Sequence, residues 1–443
     1  MEATLQEILE ARERRAEKQK QLLGQYAKPL VCFTLNIPGP EKYSPLIAEG
    51  FSLGCRELEA QLAALPMPVL FREKLPRYTG CEGYYVVDAN AEAVKAITVA
   101  IEEGSPLGRL FDMDVLDAAG HKLERRGERK CLICGSSARV CGPRRAHSLQ
   151  ELQDKIHAIL QDAVWQDQSR SLGALAARAL LYEVCTTPKP GLVDRMNSGS
   201  HTDMDIFTFM ASTTALQPYF SDCARAGMET DSQPPKETFA RLRHLGRNAE
   251  KAMLEATGGV NTHKGAIFTM GLLCGAAGRL EKEERTDPEK VLAQCAAMCV
   301  GLTAELENVK KDGAKTAGER LFACYGITGV RGQAEKGFPA VLHTGLPVLE
   351  EGFSLGYSLE RSGCAALLAM LTATMDTNLI SRSDWDTAKK ISREVALLLA
   401  KDRYPEREML QMLDEGFISQ NLSIGGTADL LAACYFLHFL KTQ

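Results

Sequence analysis

The chain has no uninterrupted apolar run approaching the roughly 18 residues of a membrane-spanning helix, so no bilayer span is expected. Its N-terminus, MEATLQEILEARERRAEKQKQ, is dense in both charge signs and lacks an apolar core, which argues against a secretory signal. An excess of positive charge is missing too: the net charge is −5 at pH 7. Aromatic residues make up only 6% and do not interleave with the basic ones, so nucleic acid is not an expected partner. No Pro/Gly/Ser-rich linker and no fixed-period repeat is visible, which argues against a repeat architecture. What remains is an ordinary globular composition, 45% hydrophobic and 25% charged, over 443 residues, enough for two or three domains. Fourteen cysteines without a secretory signal point to reduced thiols and a cytoplasmic protein.

The first 150 residues differ in texture from the rest. Residues 5–25 carry a helical apolar pattern, with Leu5, Ile8, Leu9, Ala16, Leu22 and Leu23 set among charges. LVCFTLNIPG (30–39), GYYVVDA (83–89) and RLFDMDVLDAAG (109–120) read as strands, and AEAVKAITVAIEE (91–103) as a helix between them. This predicts a small α/β or α+β domain. From Ser148 the pattern is helical almost throughout, starting with the capping box SLQE (148–151), and no credible strand follows. The expectation is two domains, 1–155 and an all-α 156–443.

Four irregular segments interrupt the helices: TTPKPGLVDRMNSGSHTDMD (186–205), GGVNTHKGAIF (258–268), GITGVRGQAEKGFP (326–339) and SIGGTADLL (423–431). A glycine turn entering a helix leaves backbone N–H groups pointing outward at the positive end of the helix dipole, which suits an anion. Lys189, His263, Lys264, Arg331 and the Gly425–Gly426 turn are therefore phosphate-binding candidates. His201, Asp203 and Asp205, with Asp194 nearby, offer ligands for Mg²⁺, which is commonly held by one or two carboxylates and substrate phosphates. No Walker A pattern is present, so any ATP is held by another geometry. The plainer reading makes Asp203 the N-cap of the following helix, Asp205 a dipole-favoured acid, Asp429 a first-turn acid and Lys264 a solvated lysine.

EVCTTPKPGLVDRMNSGSHTDMDIFTFMAS, GVNTHKGAIFTMG, YGITGVRGQAEKGFP, MDTNL and GGTADLLAA resemble, in order, the motifs of the triphosphoribosyl-dephospho-CoA synthase family over about residues 170–440. The resemblance implies that the 2′-hydroxyl of 3′-dephospho-CoA displaces adenine from C1 of the ATP ribose while the triphosphate stays on the product. Carboxylates stabilise the oxocarbenium-like state of such a step and take the hydroxyl proton. On this reading Asp203 and Asp205 hold Mg²⁺, Lys189, Lys264 and Arg331 meet phosphates, and Asp376 or Asp194 is the base or the oxocarbenium stabiliser. Two positions depart from the family pattern: Gln333 replaces its Glu, and Ile424 its Pro.

In the first domain, strand alternation puts Asp112 and Asp114 on one face and Phe111, Met113 and Val115 on the other. Two carboxylates at i and i+2 can hold Mg²⁺ for nucleotidyl transfer, although aspartates at a strand end are commonly just solvated. TLNIPGPEK (34–42) adds Asn36 and Lys42 at a strand end, and Arg12 and Arg15 share a helix face with Gln19. Cys131, Cys134, Cys141 and His147 have the spacing of a Cys₃His zinc site, with reduced structural thiols as the alternative. Arg144 and Arg145 beside it suit phosphate or an acidic protein.

LLGQYAKPLVCFTLNIPGPEK, GRLFDMDVLD and RKCLICGSSARVCGPRRAHS resemble the apo-citrate lyase phosphoribosyl-dephospho-CoA transferase family, the holo-acyl-carrier-protein synthases, over about residues 5–150. The resemblance implies a nucleotidyltransferase-like fold. It also implies joining of the triphosphoribosyl product to a serine of the citrate lyase acyl carrier protein with loss of pyrophosphate, Asp112 and Asp114 binding Mg²⁺ and activating the serine. One domain's product is then the other's substrate. Two rivals are a helical ADP-ribose-type N-glycosidase, which would use water, and a zinc-dependent RNA- or protein-binding first domain with Arg125, Arg126, Arg129 and Lys130 in its basic patch.

Overall fold

A computed structural model of the chain describes residues 2–64, 68–125, 127–144, 146–307, 314 and 317–442. It separates into two compact units, Met1–Asp167 and Gln168–Gln443. No helix among the described residues is long and apolar enough to cross a membrane.

The first unit runs α1 (Leu5–Tyr26), β1 (Leu30–Leu35), α2 (Pro45–Ala63), β2 (Val69–Arg77), β3 (Gly80–Val87), α3 (Ala91–Gly104), β4 (Phe111–Leu116) and α4 (Ala138–Arg144). The four strands lie in the order β2-β3-β1-β4, every neighbour antiparallel. The domain is therefore α+β rather than α/β. One face of the sheet buries Val31, Phe33, Tyr85, Val87, Met113 and Val115 in the main core with α2 residues such as Phe51 and Leu58. Phe33 anchors it, stacked on Phe51 at 4.9 Å and edge-on to Phe111 at 5.1 Å. Truncating such a ring costs about 3–5 kcal/mol. The other face receives α1, whose Leu22 packs on Leu30, Cys32, Tyr84 and Val86. A Thr4–Glu7 capping box starts α1, and Ala27 in the left-handed region ends it. Leu5 and Leu9, read as part of its apolar stripe, are exposed.

The helix α5 (Leu149–Cys185) starts at the expected Ser148–Glu151 box, where Ser148 N–H donates to Glu151 at 2.8 Å and Glu151 N–H to Ser148 Oγ at 3.2 Å. It continues unbroken for 37 residues. The second unit continues with α6 (Ile206–Glu229), α7 (Pro235–Ala256), α8 (Lys264–Gly278), α9 (Pro288–Met298), α10 (Ala304–Glu307), α11 (Ala317–Tyr325) and α12 (Gly329–Glu335). It closes with α13 (Leu346–Ser354), α14 (Leu359–Ala373), α15 (Thr377–Arg382), α16 (Trp385–Lys401), α17 (Arg407–Ser419) and α18 (Gly425–Lys441). Its described residues contain no strand, as the sequence predicts. Helices α8, α14 and α18 are buried over most of their circumference, the mark of a central helix.

Candidate active sites

In the helical unit the four irregular segments come together. Segment 186–205 is fastened by two buried acids. Asp194 accepts the N–H groups of Lys189 at 2.9 Å, Met196 at 2.6 Å and Asn197 at 3.2 Å. Asp414 of α17 accepts Gly191 N–H at 2.9 Å and the Asn197 amide at 2.8 Å. A helix satisfies its N–H groups internally; here carboxylates do so, and the prolines have no N–H to satisfy. The Thr187–Pro188 peptide is cis. Lys189 is buried and paired with Glu183 near the end of α5. Burial pushes the Glu183 carboxyl up. Burial, then the Lys189 charge, lowers His263 to about 3, so its imidazole is neutral at pH 7. Its Nδ1 lies 2.7 Å from Ser212 Oγ, and its buried Nε2 has no hydrogen-bond partner among the described residues.

Three helices begin where these segments meet. Asp376, the N-cap of α15, accepts Asn378 N–H at 2.8 Å and Leu379 N–H at 3.0 Å. Its other oxygen crosses to α18 and accepts both the N–H and the hydroxyl of Thr427 at 2.7 Å. Gly425 and Gly426 open α18 so closely to α15 that an added Cβ would stand 2.5 Å from Asn378 Nδ2 or 3.2 Å from Asp376 Oδ2. The start of α8 joins through Gly265, where a Cβ would meet Asp429 Oδ2 at 1.9 Å. Segment 326–339 joins at Gly329, whose Cβ position is 3.1 Å from Thr377 Cγ2. Asp429, in the second turn of α18, is half-buried and accepts no hydrogen bond among the described residues. Burial first, then Glu183 and Asp376, push its carboxyl well above the usual range.

The other expected residues divide. Arg331 is half-buried and has no ion pair among the described residues. Lys264 is 58% exposed and pairs with Glu250 at 3.0 Å. The N-cap of α6 is Asp205, not Asp203: it accepts Thr208 N–H at 2.9 Å and its hydroxyl at 2.7 Å. Asp203 is exposed. His201 has Arg382 Nη2 3.1 Å from Nδ1 and Ser423 Oγ 3.2 Å from Nε2. Both ring nitrogens are thus engaged, one by a cation, so His201 does not complete a metal site with Asp203 and Asp205. Asp194 and Asp376, expected as base or stabiliser, have their oxygens taken up by backbone N–H groups. Gln333, the departure from the family pattern, accepts Ala340 N–H at 3.2 Å, and Ile424 is the buried N-cap of α18.

In the first unit Asp112 and Asp114 share the β4 face away from the main core, beside Thr34 and Cys32 of β1. Asp114 accepts Lys122 Nζ at 2.6 Å, while Asp112 accepts no hydrogen bond among the described residues and lies 3.9 Å from Arg129. Buried Glu102, which the sequence reading passed over, accepts Met113 N–H at 2.7 Å and pairs with Arg129 at 2.9 Å. Arg15 is committed to buried Glu82 at 2.9 Å, and Lys42 donates to the Ile37 carbonyl. Burial, then Arg12, depresses Lys42, placing those two cations near each other. Asn36 and Arg12 are exposed.

Cys131, Cys134, Cys141 and His147 have ligand atoms all within 4.8 Å of one another, the one such group of His, Cys, Asp or Glu among the described residues. Cys131 N–H donates to Ser136 O at 2.6 Å and Gly135 N–H to Cys131 O at 3.1 Å, closing a tight turn for which Gly135 takes φ +73°. Arg144 is exposed at the end of α4, and Arg145 and Arg126 lie outside the described residues.

The sequence matches two family models: apo-citrate lyase phosphoribosyl-dephospho-CoA transferase over residues 3–163 and ATP:dephospho-CoA triphosphoribosyl transferase over 169–443. It is 37% identical to Protein CitXG of Haemophilus influenzae, covering 98% of this chain and 96% of that one. It is 35% identical, with the same coverage, to Protein CitXG of Leuconostoc mesenteroides subsp. cremoris. The helical part is similar to the 2-(5''-triphosphoribosyl)-3'-dephosphocoenzyme-A synthase of Pectobacterium atrosepticum, 42% identical over 60% of this chain and 88% of the relative.

Proposed function

The chain belongs to the CitXG family, joining the apo-citrate lyase phosphoribosyl-dephospho-CoA transferases to the ATP:dephospho-CoA triphosphoribosyl transferases, and on that premise we propose which groups perform each step. The protein is a bifunctional transferase that makes the citrate lyase prosthetic group from ATP and 3′-dephospho-CoA and attaches it to the acyl carrier protein. The family match sets aside the glycosidase and binding-module readings. We take the boundary between the activities to fall within α5, nearer the parting of the two compact units at Asp167–Gln168 than the expected residue 155.

The observation that carries the first step is the meeting of the α8, α15 and α18 N-termini around Asp429. The ATP triphosphate binds at the starts of α8 and α18, with Arg331 and, after release from Glu250, Lys264 as its cations. Asp429 takes the proton from the dephospho-CoA 2′-hydroxyl; that oxygen bonds to C1 of the ATP ribose as the bond to adenine breaks, and adenine leaves with the electron pair, gaining a proton as Asp429 gives one up. A carboxyl with a raised pKa suits this role better than Asp194 or Asp376, which act by holding the segments in place. The buried Lys189–Glu183 pair sets the local charge, and neutral His263 offers Nε2 to the substrate. Asp203 and Asp205 would hold a Mg²⁺ ion together with substrate phosphates, and it would neutralise triphosphate charge.

The second step belongs to the β4 face, for which the antiparallel sheet and its paired aspartates support a nucleotidyltransferase-like reading. Asp112 takes the proton of the carrier serine. The serine oxygen bonds to the phosphorus next to the ribose, and pyrophosphate departs. Asp112 and the free oxygen of Asp114 fit one Mg²⁺, whose charge would offset that of the triphosphate. Arg12, Lys42 and Asn36 border the site on this reading, and Arg144 and Arg145 would suit a carrier with an acidic surface. The Cys₃His group fits Zn²⁺: a tetrahedral ion with about 2.3 Å Zn–S bonds places sulfurs about 3.8 Å apart, and Cys134 and Cys141 are 3.4 Å apart.

The test follows adenine and carrier mass by mass spectrometry with ATP, Mg²⁺ and dephospho-CoA. Asp429→Asn should stop adenine release, and Asp112→Asn only carrier loading. Adenine formed equally without dephospho-CoA would overturn the synthase assignment.

A further inference from the structure

Arg129 stands two residues before the first cysteine of the Cys₃His group and reaches β4. Its Nη2 donates to the Phe111 carbonyl at 2.8 Å, pairs with buried Glu102 at 2.9 Å, and lies 3.9 Å from Asp112 Oδ1. Glu102 in turn accepts Met113 N–H, so one acid ties Arg129 to the strand that carries both aspartates. The backbone that carries this side chain is tied down as well. Arg129 O accepts Ala138 N–H at 2.9 Å at the start of α4, Lys130 pairs with Ser137 in an antiparallel bridge, and Arg109 donates to the Lys130 carbonyl. Every one of these ties belongs to the turn that Cys131, Cys134, Cys141 and His147 would close around a metal. His147 Nε2 is buried and has no hydrogen-bond partner among the described residues, which suits a ligand atom.

We infer that a zinc ion held by Cys131, Cys134, Cys141 and His147 fixes Arg129 beside Asp112, making Arg129 a positioning residue for carrier loading. It acts through Asp112, holding that carboxylate toward the serine. The inference rests on the reading of the β4 face as the transfer site. A guanidinium suits the place because its planar fork can serve a carbonyl and two carboxylates together, which an ammonium does less well. Without the ion four ligands would be loose, and the segment carrying Arg129 would keep only its hydrogen bonds.

The test uses the full chain and has a readout independent of activity. Metal analysis should find one zinc per chain, and cobalt substitution should give the intense visible absorption of a tetrahedral thiolate site. Cys134→Ser should lose both. Loading is then measured with preformed triphosphoribosyl-dephospho-CoA. Arg129→Ala should keep its zinc and its adenine release, yet lower kcat for loading about 100-fold with little change in KM for the carrier. Arg129→Lys should recover part of the loss. Cys134→Ser should lose loading and keep adenine release. A zinc-free Cys134→Ser protein that loads normally, or a normal Arg129→Ala, would overturn the inference. So would protein isolated without zinc and with Cys134 and Cys141 oxidised to a disulfide. Asp112→Asn separates the layers: if it loads normally, the underlying site reading is wrong, whereas if it fails and Arg129→Ala does not, only the present inference falls.

Discussion

Among single residues Asp429 bears the most weight. Its carboxyl pKa is raised by burial, then by Glu183 and Asp376. A raised carboxyl favours the folded state below its unfolded pKa and loses that contribution as pH rises through the folded value. Asp429→Asn removes the ionisation while keeping the shape. The variant should therefore gain on the wild type as pH increases, melting a few degrees higher at pH 8 and converging toward pH 4, while adenine release falls by about 10²–10⁴-fold. Differential scanning calorimetry across pH, with the adenine assay beside it, checks both. In the wild type, adenine release should rise with pH through the same ionisation, since only the carboxylate accepts the proton. Gly265 gives a second test at this scale. Gly265→Ala places a methyl 1.9 Å from Asp429 Oδ2, so it should displace the carboxylate and depress adenine release while leaving carrier loading intact.

At the scale of elements, the cluster depends on Asp376 starting two helices at once. Asp376→Ala leaves donors of α15 and α18 unsatisfied in a buried place. One cap is worth about 1 kcal/mol and a buried orphaned donor about 1–3, so urea unfolding should show a loss of about 3 kcal/mol in the helical unit, and Asp376→Asn less. Elements were legible where local chemistry decides them: the Ser148–Glu151 box and the alternation of β4 stood out because neighbours in sequence are neighbours in space. The edge strand β2 was not legible, because VLFREKLPR carries the charges and proline that keep an edge from pairing further. The length of α5 was hidden by the polar run at 166–171. The four segments marked a candidate site, but Asp414 and Asp429 meet Gly191 and Gly265 across distances of chain that no local pattern encodes. A signal did exist: Glu183 and Asp429 are lone acids in apolar helical runs, ARALLYEV and TADLLAACYFL. His201 misled because its partner, Arg382, lies 181 residues away.

For the molecule as a whole, the two family matches fall in separate compact units, and on the proposal above each reaction uses residues of its own unit. An Asp429→Asn chain and an Asp112→Asn chain should each fail to produce loaded carrier from ATP and dephospho-CoA. Mixed together they should produce it, after a lag set by the rise of free triphosphoribosyl-dephospho-CoA. Time-resolved mass spectrometry of the carrier reads the lag directly, and a mixture that never loads would show that the intermediate does not pass between chains through solution.

The contact between Gly265 and Asp429 also constrains how this lineage can change. Position 265 is not free to drift while the acid is kept: a side chain gained there evicts the acid, and an acid restored opposite a filled 265 has nowhere to go. Substitutions at the two positions should therefore be coupled wherever the acid is kept. Descendants that abandon the adenine-releasing chemistry should be recognisable by losing the glycine and the aspartate together, even where the surrounding helices persist.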